Sequence, residues 1–156
     1  VSLLIAEKKS KIIYTWFYKL KNSKKTQYKQ LKDGLKMKDF LLTNPGCGIS
    51  NLVVEKELFI GIGGFDDYIL SNDKDFLIRA IYYGYEYHVL KESLVIQRKH
   101  SHEQLTDVDK DFLIRMKKFF KKHEFIASPK IKIKFWIKYL KMYFKLLMSN
   151  KNSIKD

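Results

Sequence analysis

Apolar positions along this chain fall in short clusters, and their spacing switches between the two-residue period of strands and the 3.6-residue period of helices. Residues 1–5, "VSLLI", form an apolar run that reads as a buried strand. Residues 11–20, "KIIYTWFYKL", are dense in β-branched and aromatic side chains and read as a second strand. The polar, lysine-rich stretch that follows, ending in Gly34, reads as a surface loop with at most one helical turn. Residues 38–54 alternate strand-like pieces around a turn built on Asn44, Pro45, Gly46 and Gly48. "EKELFIGI" then makes a helical turn, closed by Gly63 and Gly64 at a C-cap position.

Further on, Ser71 or Asn72 is placed to cap a helix carrying Asp73 and Asp75 in its first turn. Phe76, Leu77, Ala80 and Ile81 supply its apolar stripe, and Gly84 ends it. Asp75 and Arg79, four residues apart, are expected to pair on its outer face. "YEYHVL" and "SLVIQRKH" read as two strands. Thr106 and Asp109 form a capping-box-like pair opening a helix over 107–124, with Val108, Phe112, Met116, Phe119 and Phe120 on one face. Ser128-Pro129 opens a last helix. Strands alternating with helices give an α/β class with a helical C-terminal tail, divided at residues 1–105 and 106–156.

Composition narrows the picture. At 156 residues with 46% apolar side chains, the chain can bury a real core as one domain or part of a larger one. The single cysteine, Cys47, excludes an internal disulfide and fits a reducing compartment. It has no His or Cys at ligand spacing, so it reads as a small buried or loop residue. A net charge of +14 asks for a polyanionic neighbour: nucleic acid, an anionic membrane surface or phosphorylated small molecules. A lysine-rich proteome is the bland source of the same charge. No run approaches the ~20 apolar residues of a bilayer span, and "VSLLIAEKK" lacks the basic start and cleavage site of a secretory signal. It reads instead as a strand entered mid-fold, so the chain is expected to start partway through a longer protein.

The chemistry-bearing stretch is "GGFDDYILSNDKDFLIRAIYYGY". A helix N-terminus carries partial positive charge, which is expected to lower the carboxylate pKa of Asp73 and keep it ionised. An ionised, positioned carboxylate is a general base, worth roughly 10²–10⁴ in rate. By itself that cluster is a weak signal, since acids are common in the first turns of helices.

The order of elements adds to it. Residues 46–106 resemble the C-terminal, acceptor-side half of the catalytic domain of family 2 glycosyltransferases, inverting enzymes of the GT-A fold that use nucleotide-sugar donors. The family's glycine turn appears here as Ile62-Gly63-Gly64-Phe65-Asp66-Asp67. Its acidic pair appears as Asn72-Asp73, and its D-l-x-x-R helix as Asp75-Phe76 with Arg79. Its G-y-x-y strand entry appears as Gly84-Tyr85-Glu86-Tyr87. The resemblance implies a partial GT-A (Rossmann-like) mixed sheet flanked by helices. It implies that Asp73 is the base that deprotonates the acceptor hydroxyl. Asn72 departs from the family's usual Glu or Asp, which removes a charge but not the base. Gly46, Gly48, Ser50 and Asn51 match the acceptor-side loop, and His100 matches the histidine that reaches the donor's metal or diphosphate. His102 is an alternative to His100, and Arg98 a phosphate neighbour.

The family also binds Mg²⁺ or Mn²⁺ through an upstream D-x-D motif, where the metal neutralises the diphosphate leaving group. Before Asp66 the only aspartates are Asp33 and Asp39, and neither stands in such a motif. The expectation is therefore an acceptor-side half that does not turn over alone, acting on a nucleotide-sugar and a glycan or lipid-linked acceptor. It would be cytoplasmic and peripheral at the inner face of the membrane.

The tail supports that last point. Lys134, Lys138, Lys141 and Lys145 recur at steps of four, three and four, giving one lysine stripe. The apolar residues from Phe135 to Leu147 cover more circumference than the ~100° a single docking face uses. An anionic membrane interface could take up that surplus, and so could packing on the domain or on the absent half. Two rival classes stand beside the enzyme: a basic nucleic-acid-binding module, with no base-reading motif in its favour, and a non-catalytic membrane-binding domain or scaffold.

Overall fold

A computed structural model describes residues 10–66, 69–98 and 109–152. The strand predicted at residues 1–5, together with Asp67, His100, His102, Thr106 and Val108, lies outside them. The class is mixed α/β, and the chain divides into two compact units: residues 1–66 with 72–101, and residues 67–71 with 102–156.

The first unit is built on β1 (Ile12–Lys21), whose leading residues Ile12, Ile13 and Tyr14 are all fully buried. A strand buried on both faces explains why the sequence there is a continuous apolar run rather than an alternation. β1 occupies the middle of a four-stranded sheet. On one side it pairs antiparallel with β2 (Lys24–Gln27) and with β3 (Leu52–Val54). On the other it pairs parallel with β4 (His88–Arg98), from Ile13 opposite His88 to Leu20 opposite Arg98.

The lysine-rich stretch after β1 opens as a hairpin and is loop only beyond Gln27: Asn22 and Ser23 both take positive φ, 48° and 60°, and Lys21 pairs with Lys24. Two such residues make the tight turn whose twist matches a hairpin. The two strands expected on either side of Lys91 are the single strand β4, with register shifts opposite Thr15–Phe17 that absorb the polar Lys91-Glu92-Ser93 step as a bulge. Within residues 38–54, only Leu52–Val54 is strand; Met37–Phe40 and Ile49–Asn51 are single 3₁₀ turns.

α1 (Lys56–Gly61) ends as its glycines predict. Gly63 donates to the Ile60 carbonyl and Gly64 to the Phe59 carbonyl, each at 2.9 Å, with φ of 93° and 63°. That bond pair is the Schellman ending, which needs a residue free of a Cβ penalty at positive φ. α2 (Asn72–Tyr82) buries Phe76, Leu77, Ile78 and Ala80. Phe59, Phe65 and Phe76 form an aromatic trio, with ring centroids 4.9–5.8 Å apart, joining α1, the glycine turn and α2.

In the second unit, α3 (Lys110–His123) begins at Asp109, whose carboxylate accepts from the Phe112 backbone N–H; this start lies three residues beyond the expected one. Its buried side is Leu113, Met116, Phe119 and Phe120, whereas Phe112 is only half-buried. α4 (Pro129–Asn152) opens at Ser128, whose hydroxyl accepts from Ile131. Phe120 and Phe135 stack at 3.7 Å between centroids, 6° from parallel, and fasten α3 to α4.

Candidate active site

Asp73 is the second residue of α2, and the loop running from Asn44 to Gly48 reaches it. The loop's shape follows from Asn44. Its side-chain oxygen accepts from the backbone N–H groups of Gly46 and Cys47 at 2.8 and 3.0 Å, an Asx turn, and its amide donates to the Cys47 carbonyl at 2.7 Å. The same amide donates to Asp73 Oδ2 at 3.4 Å, while Asp73 Oδ1 accepts from the Lys74 N–H at 2.8 Å. The carboxylate is thus aimed by two donors.

Its electrostatics differ from the sequence expectation. Burial raises the Asp73 pKa above the ordinary carboxylate value and outweighs the hydrogen bonds from Lys74 and Asn44 and the Lys74 charge, all of which lower it. A raised carboxylate is the better proton acceptor, since base strength increases as the pKa moves toward the operating pH.

Three neighbours were not legible as site residues. Lys74 is buried, and its ammonium donates to the Phe40 carbonyl at 3.2 Å. A lysine in the first turn of an amphipathic helix gives no sign of this, because the carbonyl it meets lies 34 residues upstream. Cys47 is buried as expected; burial first, and Asp73 second, push its thiol far up, so it stays protonated. Tyr14 is fully buried, its hydroxyl has no hydrogen-bond partner among the described residues, and burial, then Cys47 and Asp73, raise its pKa.

The other predicted site residues separate into groups. Gly46, at φ 124°, lies so close to the backbone of Lys29 and Leu31 that a Cβ would collide with both. Asn51 is buried and donates to the Thr15 and Gly46 carbonyls, tying the loop to β1. Gly48 has extended backbone ahead of the Ile49–Asn51 turn, and Ser50 is exposed on that turn. Asn72 opens α2 and is half-buried, as is Asp66.

Gly63, Gly64, Phe65 and Arg79 form a staple instead. The Arg79 guanidinium meets Asp75 at 2.8 Å through both Nε and Nη2, and donates to the Ile62 and Gly64 carbonyls. The Asp75–Arg79 pair exists as expected but faces inward, since Asp75 is fully buried. The two upstream aspartates serve the backbone: Asp33 accepts from Val89 at 2.7 Å, and Asp39 from Lys36 at 2.9 Å.

Among the described residues no three His, Cys, Asp or Glu side chains come together to hold a metal. His100, matched to the donor's metal by the resemblance, lies outside them. Comparison with protein-family models, with curated proteins and with solved structures gives no match.

Proposed function

We propose that this chain is the acceptor-side part of an inverting glycosyltransferase of the GT-A type, with Asp73 as its general base. The reading is supported by one observation above the rest: a half-buried carboxylate, aimed by the Lys74 N–H and the Asn44 amide, whose pKa is raised toward the range in which it can take a proton. In the step, Asp73 removes the proton from an acceptor hydroxyl as that oxygen attacks the anomeric carbon of a nucleotide-sugar. The bond from that carbon to the diphosphate oxygen breaks on the opposite face, and the nucleoside diphosphate leaves with the electron pair. Donor binding belongs to a D-x-D-bearing segment outside this chain, which suits a glycan or lipid-linked acceptor on the Asp73 side.

With the D-x-D-bearing half supplied in one polypeptide, release of nucleoside diphosphate from a panel of nucleotide-sugars measures the activity. The Asp73→Asn variant should lose at least about 10²-fold in kcat while the fold persists. Full activity in that variant would remove the base, and the reading with it.

A further inference from the structure

The structure divides the circumference of α4 in a way its sequence left open. Phe135 is buried against Phe120, and Ile131, Tyr139, Met142 and Leu146 lie half-buried on the same side. That accounts for one apolar face. A second remains in solvent: Ile133, Trp136, Leu140, Phe144, Leu147 and Met148 are exposed, from 37% at Trp136 to 70% at Met148. At 100° per residue this second face spans an arc of about 120°, wider than a typical docking stripe. Lys134, Lys138, Lys141 and Lys145 occupy the arc along one of its flanks, and Lys132 stands on the other. All of these lysines are exposed.

We propose that this face of α4 lies in the interface of an anionic phospholipid bilayer, parallel to its plane. α4 contains no Asp or Glu, so a second copy docked through the same face would bring lysine flanks together with nothing to neutralise them. Nucleic acid would use the lysines but leave the aliphatic centre of the face, Ile133, Leu140, Leu147 and Met148, without the stacking it rewards. A lipid surface satisfies both parts. The apolar arc enters the acyl boundary, Trp136 sits at headgroup level, and the lysines extend along the surface to phosphate. No helix among the described residues is long and apolar enough to cross a membrane, which fits a helix lying on the bilayer rather than through it. The inference does not depend on the sugar-transfer reading.

The test is co-sedimentation of the whole 156-residue chain with vesicles of phosphatidylcholine alone and with 30% phosphatidylglycerol, with sedimentation velocity of the free protein alongside. The chain should pellet with the anionic vesicles, and its tryptophan emission should shift to the blue, a shift missing in Trp136→Phe. Each lysine near an anionic surface is worth roughly fivefold in partitioning, so K138Q/K141Q/K145Q should lose more than tenfold. L140Q/F144Q should lose at least tenfold with an unchanged melting curve. No binding to anionic vesicles overturns the proposal. Binding that the lysine variant loses and the apolar variant keeps also overturns it, leaving adsorption by charge alone. So does a dimer dispersed by L140Q/F144Q whose vesicle binding is unaltered, because the occupant would then be a second copy.

Discussion

Asp73 sits where two opposed effects meet. The N-terminal end of α2, the Lys74 N–H and the Lys74 charge all favour its carboxylate, while removal from water favours the acid form. Because burial prevails, the folded pKa stands above the unfolded one, whose reference is 3.8. The stability this group contributes is therefore complete below about pH 4 and is lost as the pH rises through the folded value. Asp73→Asn removes the charge and keeps the shape. Its melting temperature should match the wild type in acid and exceed it at pH 7. Melting curves from pH 3.5 to 7.5 check this, and a constant offset at every pH would refute it. In the active polypeptide, the acid limb of kcat/KM should fall above the normal carboxylate range for the same reason. The place of Asp73 in the first turn of α2 was readable from sequence. The direction of its pKa was not readable, because Asn44, Cys47 and Tyr14 surround it only in the folded chain.

At the scale of elements, the turn between α1 and α2 shows how two glycines, an aromatic and a distant arginine hold a structure together. Gly63 and Gly64 end α1, Phe65 packs between Phe59 and Phe76, and Arg79 reaches back from α2 to hold the Ile62 and Gly64 carbonyls. Asp75 beneath it is fully buried and meets that guanidinium. Arg79→Ala should destabilise the unit by about 3–5 kcal/mol, the usual result of breaking a buried ion pair. Arg79→Lys should recover only part of this, since an ammonium cannot fork across Asp75 and two carbonyls at once. Urea unfolding of both variants measures the difference; a loss under about 1 kcal/mol for the alanine variant would mean the staple carries little. β1, α1 with its glycine ending, α2 and α4 were legible because each satisfies a local rule of period or cap. The hairpin strand β2 was not, because Asn22-Ser23 is a weaker turn signal than Asn-Gly and its lysines look like loop residues. β4 reads as two strands for a related reason: a bulge and a break carry the same polar interruption in sequence.

For the molecule as a whole, what periodicity could not supply is partnership. β1 and β4 lie side by side and parallel although 66 residues separate Lys21 from His88 in the chain, and no local pattern encodes which strand takes which neighbour. Charge acts on the same scale and was visible from composition alone. The 31 basic side chains outnumber the 17 acidic ones, and the close ion pairs among the described residues include Lys11–Glu55, Asp75–Arg79 and Lys121–Glu124. Two of these are at the surface, where water and salt leave an ion pair little net effect, so self-repulsion is the larger long-range effect. Salt should then stabilise this protein, unlike one held together by surface pairs. Raising NaCl from roughly 0.05 to 0.5 M shortens the screening length from about 14 to about 4 Å, and the melting temperature at pH 7 should climb by several degrees. Chloride is the informative anion, since sulfate would also strengthen apolar burial and blur the cause. A flat or falling melting temperature would mean that the lysines are spaced widely enough not to oppose folding, and that their charge is a property of the surface alone.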